Sequence, residues 1–163
     1  MDDSILFRYP VKNNMYENYI ELFFMYQLKH SKVFWVRFDL RYPDDIKAPQ
    51  DNTNIQKFIA YVVKYFKRKK LDPIYFWSRD QKHSINPHYH CSLMVNGNLT
   101  QSANYLYNII TETWLRTIGA TEPALVHRCL EENGKPCGQM IRRGEEISAW
   151  TLGKISYLCK PDD

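Results

Sequence analysis

A chain of 163 residues, 44% hydrophobic and 25% charged, has the size and balance of one globular domain with its own core, which excludes a disordered or fibrous protein and assigns residues 1–163 to a single domain. Its net charge of +4 favours a polyanionic partner without naming one. No apolar run approaches the roughly 20 residues of a membrane span, and the N-terminus lacks the features of a signal peptide, so a cytoplasmic protein without a membrane partner is expected.

In chain order, residues 13–30 place Tyr16, Tyr19, Ile20, Phe23, Phe24 and Leu28 at helical spacing, which predicts one buried helix face. Residues 33–42 alternate instead: Phe34, Val36, Phe38 and Leu40 share one side of a strand, and Arg37, Asp39 and Arg41 the other. A Pro/Asp/Asn-rich loop leads into a helix at about 54–70, ending on Lys67, Arg68, Lys69 and Lys70, where cations suit the helix C-terminus. Strands are expected at 74–80 and 88–95, with 81–87 as their connection. A further helix spans 103–117, with Ser102 as N-cap and Gly119 beyond its end. Segments 124–130 and 137–142 flank Asn133-Gly134, which predicts a hairpin. A last helix is expected over 145–160, stopped by Pro161. The cysteines Cys91, Cys129, Cys137 and Cys159 form no close CxxC pair, which argues for reduced thiols rather than structural zinc. This order implies an α+β sandwich, an antiparallel sheet with helices on one face.

The segment Asn86-Pro87-His88-Tyr89-His90-Cys91 carries the most chemistry. Residues two apart in a strand share a face, so His88 and His90 project together while Tyr89, Cys91 and Leu93 face the core. A hairpin centred near Ser84 sets Asp80 opposite His88 and Ser78 opposite His90, bringing one carboxylate to two imidazoles. The same register groups Tyr75 and Trp77 with the core residues, and a one-residue slip would break both patterns. Gln81 is the substitute should Asp80 pair elsewhere, for example with Arg79. A mixed nitrogen and oxygen set suits Mn²⁺ or Mg²⁺ better than zinc for phosphodiester chemistry.

Near the other end, Trp150, Lys154, Tyr157 and Lys160 lie along one helical stripe, which puts a phenol beside two ammonium groups. Cations favour the phenolate, whose reference pKa is about 10, so this tyrosine is a candidate nucleophile with Lys154 and Lys160 as its activators or phosphate holders. Arg37 and Arg41, with Asp39 between them, either meet DNA from the polar face of the first strand or pair among themselves.

Taken together, Phe34-Trp35-Val36-Arg37-Phe38-Asp39-Leu40, His88-Tyr89-His90 and Tyr157-Leu158-Cys159-Lys160 resemble the three motifs of HUH endonucleases, the family of rolling-circle replication initiators and relaxases. Within that family the wording is similar to the inovirus-type replication proteins of filamentous phages and cryptic prophages. The resemblance covers most of the chain from about Val33 to Lys160. It implies a ferredoxin- or RRM-like core and a divalent ion on His88, His90 and Asp80. It further implies nicking of single-stranded origin DNA by Tyr157 through a 5′-phosphotyrosyl intermediate, with host replication proteins as further partners. Tyr89 stands where an aliphatic residue is usual, and Asp80 where the acid is often Glu. A non-catalytic single-strand-binding module and a phosphoesterase using water are the alternatives.

Overall fold

The computed structural model describes residues 13–81, 83–129, 138–148, 151–152 and 154–155. Its elements are α1 (Asn13–Lys29), β1 (Lys32–Leu40), α2 (Thr53–Arg68), β2 (Ile74–Asp80), β3 (His88–Asn96), α3 (Ala103–Ile118), a 3₁₀ turn (Pro123–Leu125), β4 (Val126–Arg128) and β5 (Gln139–Arg142). The sheet is antiparallel in the order β2-β3-β1-β4, with β5 also on β1. From β1 to β4 this is the β-α-β-β-α-β arrangement of the ferredoxin-like split βαβ sandwich, so the expected α+β class holds.

Side-chain alternation sorts the sheet into two faces with different contents. On one, Phe34, Val36, Phe38 and Leu40 of β1 and Tyr89, Cys91, Leu93 and Val95 of β3 meet Ile55, Phe58, Val62 and Phe66 of α2 and Leu106, Tyr107, Ile110 and Trp114 of α3. All are buried, each contributing on the order of 1.5–3 kcal/mol by leaving water. Two hydrogen bonds lock α3 onto β1: Tyr107 Oη donates to the Arg37 carbonyl at 2.9 Å and Trp114 Nε1 to the Arg41 carbonyl at 2.9 Å. The ends of the helices are set locally. Ser102 Oγ accepts from Tyr105 N at the start of α3, and Gly119 closes it at φ 69°. In α2 the closing residue is Lys70 at φ 62°; Leu71 N bonds Phe66 O at 3.0 Å and Lys70 N bonds Lys67 O at 2.9 Å, which is a Schellman motif with lysine in the left-handed position.

The opposite face departs from the expectation that helices cover one face only. There α1 packs Tyr19, Phe23 and Tyr26 against Val33, Trp35, Met94 and Ile141. The attachment is polar as well as apolar: Trp35 Nε1 donates to Tyr19 Oη at 2.6 Å, and Tyr19 Oη shares a 2.6 Å hydrogen bond with Ser92 Oγ. At the end of the helix, Asp72 holds His30 at 2.7 Å and Lys29 at 2.8 Å. Because α1 is apolar nearly all round, spacing alone did not choose its inner face. Tyr19, Phe23 and Tyr26 point inward, whereas Phe24 and Leu28, expected in the core, are exposed.

Two further expectations are corrected. The strands β4 and β5 do not pair with each other. Both run antiparallel to β1 along one edge, β4 beside Phe38 to Leu40 and β5 beside Lys32 to Trp35, as two pieces of an interrupted strand; the Asn133-Gly134 turn lies outside the described residues. The last helix also begins later than Glu145. Residues 145–148 are irregular, and Ser148 caps the helical residues that follow, its Oγ accepting from Thr151 N at 3.1 Å. Among the described residues no helix is long and apolar enough to cross a membrane.

Candidate metal centre

On the face that α1 half covers, the central strands carry polar residues where a core would be expected. Cross-strand pairing aligns Ser78, His90, Asp39 and His127 in one row over β2, β3, β1 and β4, while Asp80 pairs with His88 two rungs nearer the hairpin loop, the next pair on the same face. The hairpin register is the expected one, residue for residue: Asp80 opposite His88 and Ser78 opposite His90.

This register brings the three sequence-predicted ligands together. Asp80 Oδ2 lies 3.2 Å from His90 Nε2 and 3.3 Å from His88 Nε2, and the imidazoles stand edge to face with centroids 5.3 Å apart. The ligand atoms lie within 4.8 Å of one another, close enough to share one ion. The His90 side chain is 4% exposed and Asp80 11%, but His88 is 26% exposed, so the cluster opens toward solvent on the His88 side. Burial is the largest influence on His88 and pushes its pKa below the usual histidine value, outweighing the pull of Asp80; the neutral ring is the form that binds a cation. The Gln81 amide, the alternative ligand, is engaged elsewhere: Arg79 and Gln50 each hold it at 2.6 Å. Asn86 steadies the approach to His88 by clamping the loop after β1: its amide accepts from Ala48 N at 2.8 Å and donates to the Ile46 carbonyl at 2.7 Å and the Pro43 carbonyl at 3.1 Å.

Behind His90 lies a contact that alternation along β1 did not reveal. Asp39 Oδ1 meets His90 Nδ1 at 2.8 Å and accepts from Arg37 Nη1 at 2.6 Å. Arg37 is 2% exposed and also donates to the Phe38 carbonyl at 2.7 Å. Burial by itself would push the Asp39 carboxyl up, but Arg37 and His90 hold it well below the usual carboxylate range, so it is ionised at neutral pH. Of the residues assigned to DNA from the sequence, Arg37 and Asp39 are therefore buried in an ion pair under the site. Arg41, beyond the end of β1, is exposed. Asp39 also lies in a second group with His127 and Cys129, whose potential ligand atoms come within 4.8 Å of one another.

Tyr157 and Lys160 lie outside the described residues. The part of their segment that is described packs on the same face as the histidines. Ile155 is buried with Trp35, Cys129 and Ile141, and Thr151 Oγ1 is hydrogen-bonded to Gln139 Oε1 of β5. Lys154 is half-buried and lies near enough to Cys129 to act on its thiol electrostatically, although burial dominates and raises that thiol's pKa. Cys91 and Cys129 are both free and buried, as the cysteine spacing implied.

The chain is thus a ferredoxin-like α+β domain in which a carboxylate and two imidazoles that could hold a metal ion converge on a partly open sheet face. The chain belongs to the YagK/YfjJ C-terminal domain family, whose model matches residues 6–163. No curated protein and no solved structure matches it.

Proposed function

We propose that this protein is a metal-dependent endonuclease that nicks single-stranded DNA with Tyr157 as nucleophile. The observation that carries the reading is the convergence of Asp80, His88 and His90 on the sheet face against which the segment leading to Tyr157 packs through Ile155.

The donor set fits a divalent cation on the chemistry of its atoms. Asp39, being ionised, can only accept, so His90 Nδ1 carries the proton of their hydrogen bond. His90 Nε2 is thereby left as an acceptor facing an Asp80 oxygen at 3.2 Å, with His88 Nε2 3.3 Å from the same oxygen, so these three atoms can turn together to a cation. Asp80, His88 and His90 would hold Mn²⁺ or Mg²⁺, which when bound would supply Lewis-acid stabilisation to the scissile phosphate. The phenol oxygen of Tyr157 forms the new bond to phosphorus and gives up its proton. The bond to the 3′ oxygen breaks, and that oxygen takes a proton to leave as a free hydroxyl. The 5′ phosphate remains on the tyrosine, and the reverse step rejoins the strand. In this reading Lys154 and Lys160 favour the phenolate or hold the phosphate, and Arg41 contacts the DNA backbone. Origin DNA and the host replication proteins are the expected partners.

A module that reads single strands by stacking is less well supported. The aromatic side chains on this face, Trp35 and Phe76, are occupied by α1: Trp35 bonds Tyr19, and the Phe76 ring meets the Tyr19 ring edge to face at 4.7 Å.

The test is incubation with a library of single-stranded oligonucleotides and Mn²⁺, followed by denaturing gels and peptide mapping. A covalent adduct on the peptide containing Tyr157 is expected, abolished by chelator and by Tyr157→Phe, with oligonucleotide affinity and melting temperature retained. Nicking by Tyr157→Phe, or an adduct on another residue, would overturn the assignment.

A further inference from the structure

A buried arginine beneath a buried aspartate, in the middle of a sheet face, is costly to maintain. Its geometry indicates what it maintains. Asp39 pairs directly across the ladder with His90, and the two side chains meet at 2.8 Å through Oδ1 and Nδ1. Arg37 stands two residues earlier on the same face of β1, and its Nη1 reaches the same Oδ1 at 2.6 Å while also donating to the Phe38 carbonyl. Those two bonds fix the guanidinium, and the guanidinium fixes the carboxylate. On its other side His90 presents Nε2 to Asp80 at 3.2 Å. The chain of contacts runs Arg37, Asp39, His90, Asp80, across three strands, nearly all of it withdrawn from solvent.

We infer that Asp39 is a positioning residue for the metal site: by holding the proton on His90 Nδ1 it dedicates Nε2 to the cation and fixes the ring plane, with Arg37 locking Asp39 in turn. This rests on the metal reading above for its purpose, though not for its geometry. A carboxylate behind a ligating imidazole raises the ligand's basicity and removes the entropy of choosing a tautomer, and losing such a partner typically weakens metal affinity about 10–100-fold. The requirement is for a carboxylate in particular. Asn offers an acceptor and a donor from nearly the same volume, so it no longer dictates which nitrogen of His90 is protonated. On the opposite side Ser78 pairs with His90 in the ladder and is a polar residue without a carboxylate, so Ser78→Ala serves as the control for a neighbouring polar deletion.

The experiment is a long-range proton–nitrogen NMR spectrum of ¹⁵N-histidine-labelled full chain, with and without Mg²⁺, alongside calorimetric titration with Mn²⁺. In the wild type His90 should carry a proton on Nδ1 in both states. Asp39→Asn should lose that fixed assignment and bind Mn²⁺ about 10–100-fold more weakly, while Ser78→Ala keeps both properties. A wild-type His90 with an unprotonated Nδ1 overturns the inference, and this is read without any variant, so it stands even if Asp39→Asn fails to fold. An unchanged Mn²⁺ affinity in folded Asp39→Asn overturns it too. Absence of Mn²⁺ binding in the wild type, with Nδ1 protonated as stated, instead overturns the metal reading and leaves Asp39 as the residue that orients His90.

Discussion

Arg37→Met is the substitution that best separates a buried structural cation from a surface one. Methionine keeps an unbranched apolar stem but removes the guanidinium, leaving the Asp39 carboxylate withdrawn from water with His90 as its hydrogen-bond partner among the described residues. Breaking a buried pair from one side costs about 3–5 kcal/mol, a large part of the roughly 5–15 kcal/mol that holds a domain folded. For a chain of this length each kcal/mol moves the melting temperature by roughly 2–4 °C, so a fall of roughly 6–20 °C is expected. The loss also depends on pH in a defined direction. In the wild type the Asp39 pKa is depressed, so its contribution is complete above the usual carboxylate value and is lost only as pH falls through the depressed one. Without Arg37 burial raises that pKa, and protonation then relieves the variant. The gap between the two proteins is therefore widest near neutral pH and narrows on acidification. Urea unfolding monitored by circular dichroism, repeated over a pH series, measures it. Exposed Arg41→Met should stay within about 0.5 kcal/mol of wild type. An Arg37→Met protein within about 1 kcal/mol of wild type at neutral pH would refute the reasoning, since a pair that dispensable is not desolvated.

Metal addition should stabilise the fold: at a hundred times its dissociation constant Mn²⁺ is expected to add about 2.7 kcal/mol, and equal stabilisation of His88→Ala would show that the ion binds elsewhere. At the end of α2, Lys70→Gly should stabilise by about 0.5–1 kcal/mol, because a left-handed position costs an L-residue about 1–2 kcal/mol and glycine returns part of that gain as chain entropy. A lower urea midpoint for Lys70→Gly would contradict it.

The hairpin carrying Asp80, His88 and His90 was legible in the sequence because two patterns, polar on one face and apolar on the other, demand the same pairing of faces. A slip of one residue from the pairing of Asp80 with His88 would separate Tyr75 and Trp77 from Tyr89, Cys91 and Leu93, which together face α2 and α3. The first strand was legible only in part. Alternation states that Arg37 and Asp39 share a face, but not whether that face is wet; α1 and the segment around Ile155 pack on it, and nothing local to β1 announces them. Of the two readings open for this face, the structure has the pairing one for Arg37 and Asp39, opposite charges two residues apart on a strand. The Asn133-Gly134 pair misled for a related reason. A turn dipeptide predicts a reversal, whereas the flanking segments follow one another along the same edge of β1. For α1, apolar residues around most of the helix left the choice of inner face to tertiary packing.

Asp80 and His88 form the last rung of their ladder before the 81–87 connection. Terminal rungs open more often than central ones, because fewer bonds must break to free them. An ion seated there ties the two strands across that rung, so its escape and the fraying of the hairpin become one event. His90 sits two rungs deeper and is tied to Asp39 of the central strand. If the proposed metal site is filled, release of the ion would be paced by local unzipping of β2 from β3, and slow amide exchange at the hairpin mouth would accompany metal retention.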